Sequence, residues 1–164
     1  MAKAMNDYAL GAKMIRQWLK AEGIVGRVTS EGYSMGSSIN VYVQDQVPEV
    51  YAKVKEYAGK FQYGHFNGME DIYEYSNCND KLPQAKFVFV NNEISDEMRQ
   101  KIWDFALGYY SDMEGAPADV KQAYNFRLVN WGMWGDQLVY RLFAGGFNQN
   151  EFWNFVAAQQ AKVA

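Results

Sequence analysis

The sequence is short of the residues that carry covalent or metal-assisted chemistry. Cys78 is the one cysteine and His65 the one histidine in 164 residues. A lone thiol closes no internal disulfide, which agrees with a reducing compartment. One His and one Cys cannot supply the four nitrogen and sulfur ligands of a structural zinc site. No stretch approaches the roughly 18–20 apolar residues that a membrane span needs. Residues 1–7 show no long apolar run behind a basic start, so the chain reads as cytoplasmic with no membrane partner. Positive charge is also scarce. Lys and Arg number 16 against 19 Asp and Glu, a net charge of −3. A general duplex-DNA binder carries a basic balance, and a wholesale DNA mimic would be more acidic; only a local basic patch stays open. Neither glycine-rich phosphate-loop signature occurs.

What is present is a globular composition. Apolar residues make up 49% and charged residues 21%, which excludes general disorder. The aromatic share of 16% exceeds the needs of a core this size. Part of that surplus is therefore expected at the surface, where Tyr and Trp favour interfaces.

The expected fold class is α+β: a small antiparallel sheet with two helices, followed by a helical C-terminal half packed on it. Residues 1–95 read as the mixed module and residues 96–164 as a helical extension, together one structural unit. Asn6 or Asp7 caps a first helix whose Leu10, Met14, Trp18 and Leu19 share a face, with Ile15 at its edge and Gly23 as the stop. Residues 24–29 form a short strand, residues 31–37 a long loop, and residues 38–44 a strand with Ile39, Val41 and Val43 on one side. Pro48 starts a second helix buried through Val50, Val54, Tyr57 and Phe61. Residues 64–71 form a turn, residues 72–75 a third strand, and residues 86–90 a fourth, apolar enough at 87–90 to be covered on both faces. Ser95 caps a third helix with Ile102, Phe105 and Tyr109 on one side. Residues 118–129, 136–143 and 151–162 read as further helices, punctuated by Gly132, Gly135, Gly145 and Gly146.

Three strings carry a resemblance. They are residues 36–41 on the second strand, Phe66-Asn67-Gly68-Met69-Glu70-Asp71 after the second helix, and residues 86–95 at the end of the mixed half. Over about residues 10–95 the chain resembles the large polyvalent protein-associated domains of phages and plasmids. Two positions depart from that pattern: Asn67 stands where an Asp is usual, and Asn92 or Glu93 where an Arg is usual. The resemblance implies a mobile-element protein among anti-restriction and other host-takeover modules. It carries over no catalytic residues.

The chemistry-bearing residues favour binding over catalysis. His65 and Cys78 lack a third orienting group and a nucleophile motif, so they read as a turn histidine and an incidental thiol. Glu70, Asp71 and Glu74 form an acidic knot without the calcium-loop spacing, read as a solvated turn. No cofactor is expected. The expected function is a non-enzymatic anti-defence protein, of the anti-restriction or anti-CRISPR kind, that engages a host protein or defence complex. The alternative is a nucleic-acid-binding accessory module in which sheet aromatics stack bases beside Arg27 and Lys86. Tyr33, Met35, Tyr42, Tyr73, Tyr75, Met133 and Trp134 are the expected partner-binding residues. Tyr33 and Met35 lie in an adaptable loop. Met133 and Trp134 lie in a break within the aromatic cluster of Phe126, Trp131, Phe143, Phe147, Phe152, Trp153 and Phe155, most of which reads as core.

Overall fold

The computed structural model describes residues 6–128, 131–145 and 149–163. Positions 129, 146 and 147, assigned above to helices, breaks and the aromatic cluster, lie outside the described residues, as do residues 1–5. The chain divides into two compact units, residues 1–93 and 94–164.

The first unit contains helix α1 (Asp7–Ala21), strands β1 (Gly26–Tyr33) and β2 (Gly36–Gln44), helix α2 (Pro48–Gly59), the short strands β3 (His65–Asn67) and β4 (Ile72–Glu74), and strand β5 (Phe87–Glu93). α1 ends where Gly23 adopts φ 71° and Ile24 N–H reaches back to the Leu19 carbonyl. The buried stripe of α1 is Gly11, Ala12, Ile15 and Leu19. Leu10 and Met14, expected inside, are 36% and 37% exposed. Close approach is the reason. A Cβ on Gly11 would lie 2.6 Å from the Pro83 carbonyl oxygen and 3.0 Å from Ile39 Cδ1. The smallest residues therefore turn towards the sheet.

The principal sheet has strand order β1-β2-β5. β1 and β2 pair antiparallel with Tyr33 opposite Gly36, so a two-residue turn replaces the expected long loop. β5 pairs with β2 in parallel, Ile39 opposite Val88, so this sheet is mixed. The connection through α2 returns the chain to the same end of β2, as a parallel pair requires. The expected third strand is β4, which pairs antiparallel with β3 in a separate hairpin, Phe66 opposite Tyr73. α1 and α2 cover one face of the sheet. Ile39, Val41, Val43, Val54, Ala58 and Phe61 form the core there with Ile15 and Leu19.

The second unit has its own core. α3 (Asp96–Tyr109) is capped by Ser95, whose Oγ accepts the Met98 N–H at 3.1 Å. After α4 (Val120–Ala123) come the two-residue strands β6 (Arg127–Leu128) and β7 (Met133–Trp134), then α5 (Gly135–Tyr140), a π-helical turn (Arg141–Gly145) and α6 (Gln149–Val163). The helix expected over residues 118–129 stops at Ala123, because the chain turns back to pair Leu128 with Met133. Trp103, Leu138, Leu142 and Phe152 are fully buried here.

Candidate functional site

Strand alternation puts a second set of side chains on the sheet face opposite the helices. β1 contributes Arg27, Thr29 and Glu31; β2 contributes Ser38, Asn40 and Tyr42; β5 contributes Phe87, Phe89, Asn91 and Glu93. Phe89 is 51% exposed, so β5 is covered on one face and not on both. Glu31, Asn91 and Glu93 are exposed as well.

The polar groups on this face are arranged in pairs. The Arg27 guanidinium lies 3.9 Å from the Tyr42 ring centre and 3.6 Å from a Glu93 carboxylate oxygen. Ser38, the buried polar residue of this face, donates its hydroxyl to Glu31 at 3.3 Å. The Lys86 N–H donates to Ser37 Oγ, so the serines at the start of β2 tie it to both neighbours. Charges of both signs are interleaved, and Arg27 already has an acidic partner. A polyanion finds little uncompensated positive charge here.

An aromatic run continues from this face. Phe89 stacks on Phe87 at 5.9 Å, Phe87 meets Tyr73 edge-on at 5.7 Å, and Tyr73 contacts Tyr63 and Tyr75. Lys86 Nζ lies 5.1 Å from the Tyr73 ring and 5.6 Å from that of Phe87, and donates to the Met35 carbonyl. The Tyr73 hydroxyl donates to the Lys86 carbonyl at 2.5 Å. Burial, with smaller repulsion from Tyr63 and Tyr75, pushes the Tyr73 phenol up to about 12. A phenol raised from 10 keeps its proton longer in the fold than in the unfolded chain. Its contribution to stability is present below pH 10 and is lost as pH rises towards 12. Tyr73→Phe is expected to cost about 1 kcal/mol at neutral pH, from the lost hydrogen bond, and to flatten the alkaline fall. Urea unfolding at pH 8 and at pH 11 reads both effects.

The β3–β4 hairpin is held by its polar residues. His65 stands opposite Glu74, with Nε2 3.2 Å from the carboxylate, and its Nδ1 lies 2.8 Å from Ser76 Oγ. Cys78 Sγ instead faces the carbonyls of Tyr63 and Tyr75. The histidine and the thiol are therefore not brought together as a nucleophile–base pair. Asn67 donates to Glu74 Oε1 at 2.7 Å and accepts the Met69 N–H at 3.1 Å. This explains one departure from the related pattern, because an Asp at this position would set two carboxylates against each other. Asn67→Asp is expected to cost about 1 kcal/mol, read by thermal unfolding, and Glu74→Gln should restore it. At the other departure, Asn92 donates to the Gln46 carbonyl and accepts its N–H, while Glu93 engages Arg27. Among the described residues no three His, Cys, Asp or Glu side chains group as a metal site.

A family model described as large polyvalent protein associated domain 29 matches residues 7–105. The chain belongs to this family. The polyvalent-protein domain thus spans every element of the first unit and continues into α3, beyond the resemblance read at residue 95. No curated protein and no solved structure matches the chain. No helix among the described residues is long and apolar enough to cross a membrane.

Within the polyvalent-protein domain, the expected contact residues do not form one patch. Tyr42 lies on the open face beneath Arg27. Tyr33 and Met35 sit at the β1–β2 turn, 46% and 81% exposed. Tyr75 is 69% exposed, whereas Tyr73 is half-buried and hydrogen-bonded within the aromatic run. In the second unit Met133 is a correction. It is 6% exposed, pairs with Leu128 and belongs to the core, where a surface contact residue was expected. Its neighbour Trp134 alternates outward, 41% exposed, with Arg127 5.2 Å from its ring. Sequence reasoning missed Phe89, Asn91 and Glu93. Their one signal was the alternation within β5, hidden by the apolar run of residues 87–90.

Proposed function

We propose that the polyvalent-protein domain is a non-enzymatic binding module of a phage or plasmid protein, and that it engages a host protein through the open face of its sheet. The supporting observation is the exposure of that face among the described residues, with Arg27, Phe89, Asn91 and Glu93 exposed on it beside the half-buried Tyr42. Interleaved charges and accessible aromatics suit a protein surface, where aromatic anchors contribute most of the affinity and polar neighbours set the register. The family resemblance favours a host defence complex in the cytoplasm as the target. The test is a photo-crosslinking amino acid at Asn91, and in a second variant at Glu56 on exposed α2. Capture of one stoichiometric host protein at Asn91 and not at Glu56 is the expected result. Equal capture at both positions would remove the face from the proposal.

The placement of Lys86 over Tyr73 and Phe87 favours a second reading, base stacking of single-stranded nucleic acid. A gel shift with single-stranded DNA and RNA at low and high salt decides it. Binding that is lost in Tyr42→Ala supports stacking; no shift at low salt ends it.

A further inference from the structure

The outer edge of β5 is a second surface, separate from the open face. In the parallel pairing with β2, alternate residues of β5 direct their backbone groups away from the sheet. Val88 and Val90 are two of these. The Val88 N–H is taken by Gln62 Oε1 at 2.7 Å, and the Val90 carbonyl by the Tyr51 hydroxyl at 2.8 Å. The Val88 carbonyl and the Val90 N–H lie between these two capped groups on the same outward edge. They are spaced as one extended strand would need to donate to the first and accept from the second.

A groove of about 290 Å³ runs along this edge, lined by Tyr51, Lys55, Gly59, Val88 and Val90. Gly59 borders open space, since a Cβ built there meets nothing within 4 Å. The volume suits small apolar side chains. Lys55 is the one charge in the lining; its Nζ lies 5.0 Å from the Tyr51 ring, and it has no ion pair among the described residues.

We propose that this edge and groove bind an extended segment of a partner protein by strand addition, with a small β-branched residue in the groove and a carboxylate on Lys55. Main-chain hydrogen bonds to Val88 and Val90 supply affinity, and the groove and Lys55 supply selectivity. The charge argues against a second copy of this chain on the same edge, because symmetric pairing would offer Lys55 of each groove a like-charged edge and no carboxylate from the other groove's lining.

The test uses the full chain as bait for a displayed library of random peptides, followed by synthesis of the strongest binder. The expected winner alternates β-branched residues and carries Asp or Glu. It slows hydrogen exchange at the Val90 amide, and its affinity falls about tenfold or more in Gly59→Trp and in Lys55→Glu. Gly59→Ala retains binding. Arg27→Glu on the open face leaves it unchanged, which separates this edge from the sheet-face reading. No enrichment, or a winner that binds Gly59→Trp and Lys55→Glu as tightly as the parent, overturns the proposal. Concentration-dependent dimers abolished by Gly59→Trp would also overturn it, by making the occupant a second copy.

Discussion

Trp103→Ala is expected to lower the stability of the second unit by about 3–5 kcal/mol. The Trp103 side chain is 0% exposed and lies at the centre of that core. Its loss removes a large buried surface and leaves a cavity that fixed neighbours cannot fill. It also orphans a polar contact, since the indole N–H donates to the Pro117 carbonyl at 2.7 Å. The same segment is held by Gln100, which donates to the Ala118 carbonyl and accepts the Val120 N–H. Trp103→Phe separates the two contributions. It retains most of the ring and loses the hydrogen bond, so a cost of about 1–2 kcal/mol is expected. Urea unfolding followed by circular dichroism measures both variants. Equal costs would show that the hydrogen bond, and not the cavity, dominates.

The second large effect runs against helix propensity. Gly11 sits inside α1, where replacing Gly by Ala ordinarily stabilises by about 0.5–1 kcal/mol. Here the new Cβ would lie 2.6 Å from a backbone oxygen, that of Pro83, with Ile39 Cδ1 at 3.0 Å and the Phe61 ring at 3.3 Å. A backbone atom cannot step aside as a flexible side chain does. Overpacking of this kind costs about 1–3 kcal/mol, so the net change for Gly11→Ala is a destabilisation. Gly59→Ala in α2 is the control, because its Cβ meets nothing and the propensity gain stands alone. Thermal unfolding of the two variants should move in opposite directions. A shift upward in both would contradict the close approach of α1 to the 83 carbonyl.

How far the sequence disclosed this arrangement depends on the scale of the signal. Period-two alternation in residues 38–44 placed Ile39, Val41 and Val43 inside, and all three are fully buried. Ser95 as a cap and Pro48 as a helix start were legible for the same local reason. The buried stripe of α1 was misread, because apolarity pointed to Leu10 and Met14 while backbone proximity, a tertiary fact, selected Gly11 and Ala12. The parallel pairing of β5 was not legible either. Strand direction follows from the path of residues 45–86, and no local pattern encodes it. Met133 illustrates the opposite error: a glycine-flanked Met-Trp pair resembles an exposed plug, yet pairing with Leu128 turns one residue inward and the other out. On the open face, Tyr42 was readable from the alternation of residues 38–44, whereas Arg27 was read only as a basic residue near the sheet aromatics. The β5 residues beside them were masked by an apolar run that a half-covered strand and a fully covered strand share.

The proposed partner surface is the open face of the β1-β2-β5 sheet. Its most direct test is the affinity of the crosslinked host protein for two sets of variants, measured by calorimetry. One set, Arg27→Glu, Tyr42→Ala and Asn91→Arg, alters the open face; the other, Lys13→Glu and Glu56→Lys, alters exposed positions of α1 and α2. Losses of about 2 kcal/mol or more in affinity are expected for at least one open-face variant, with folding retained, and changes within about 0.5 kcal/mol for the helix variants. Losses confined to the helix variants would contradict the proposal.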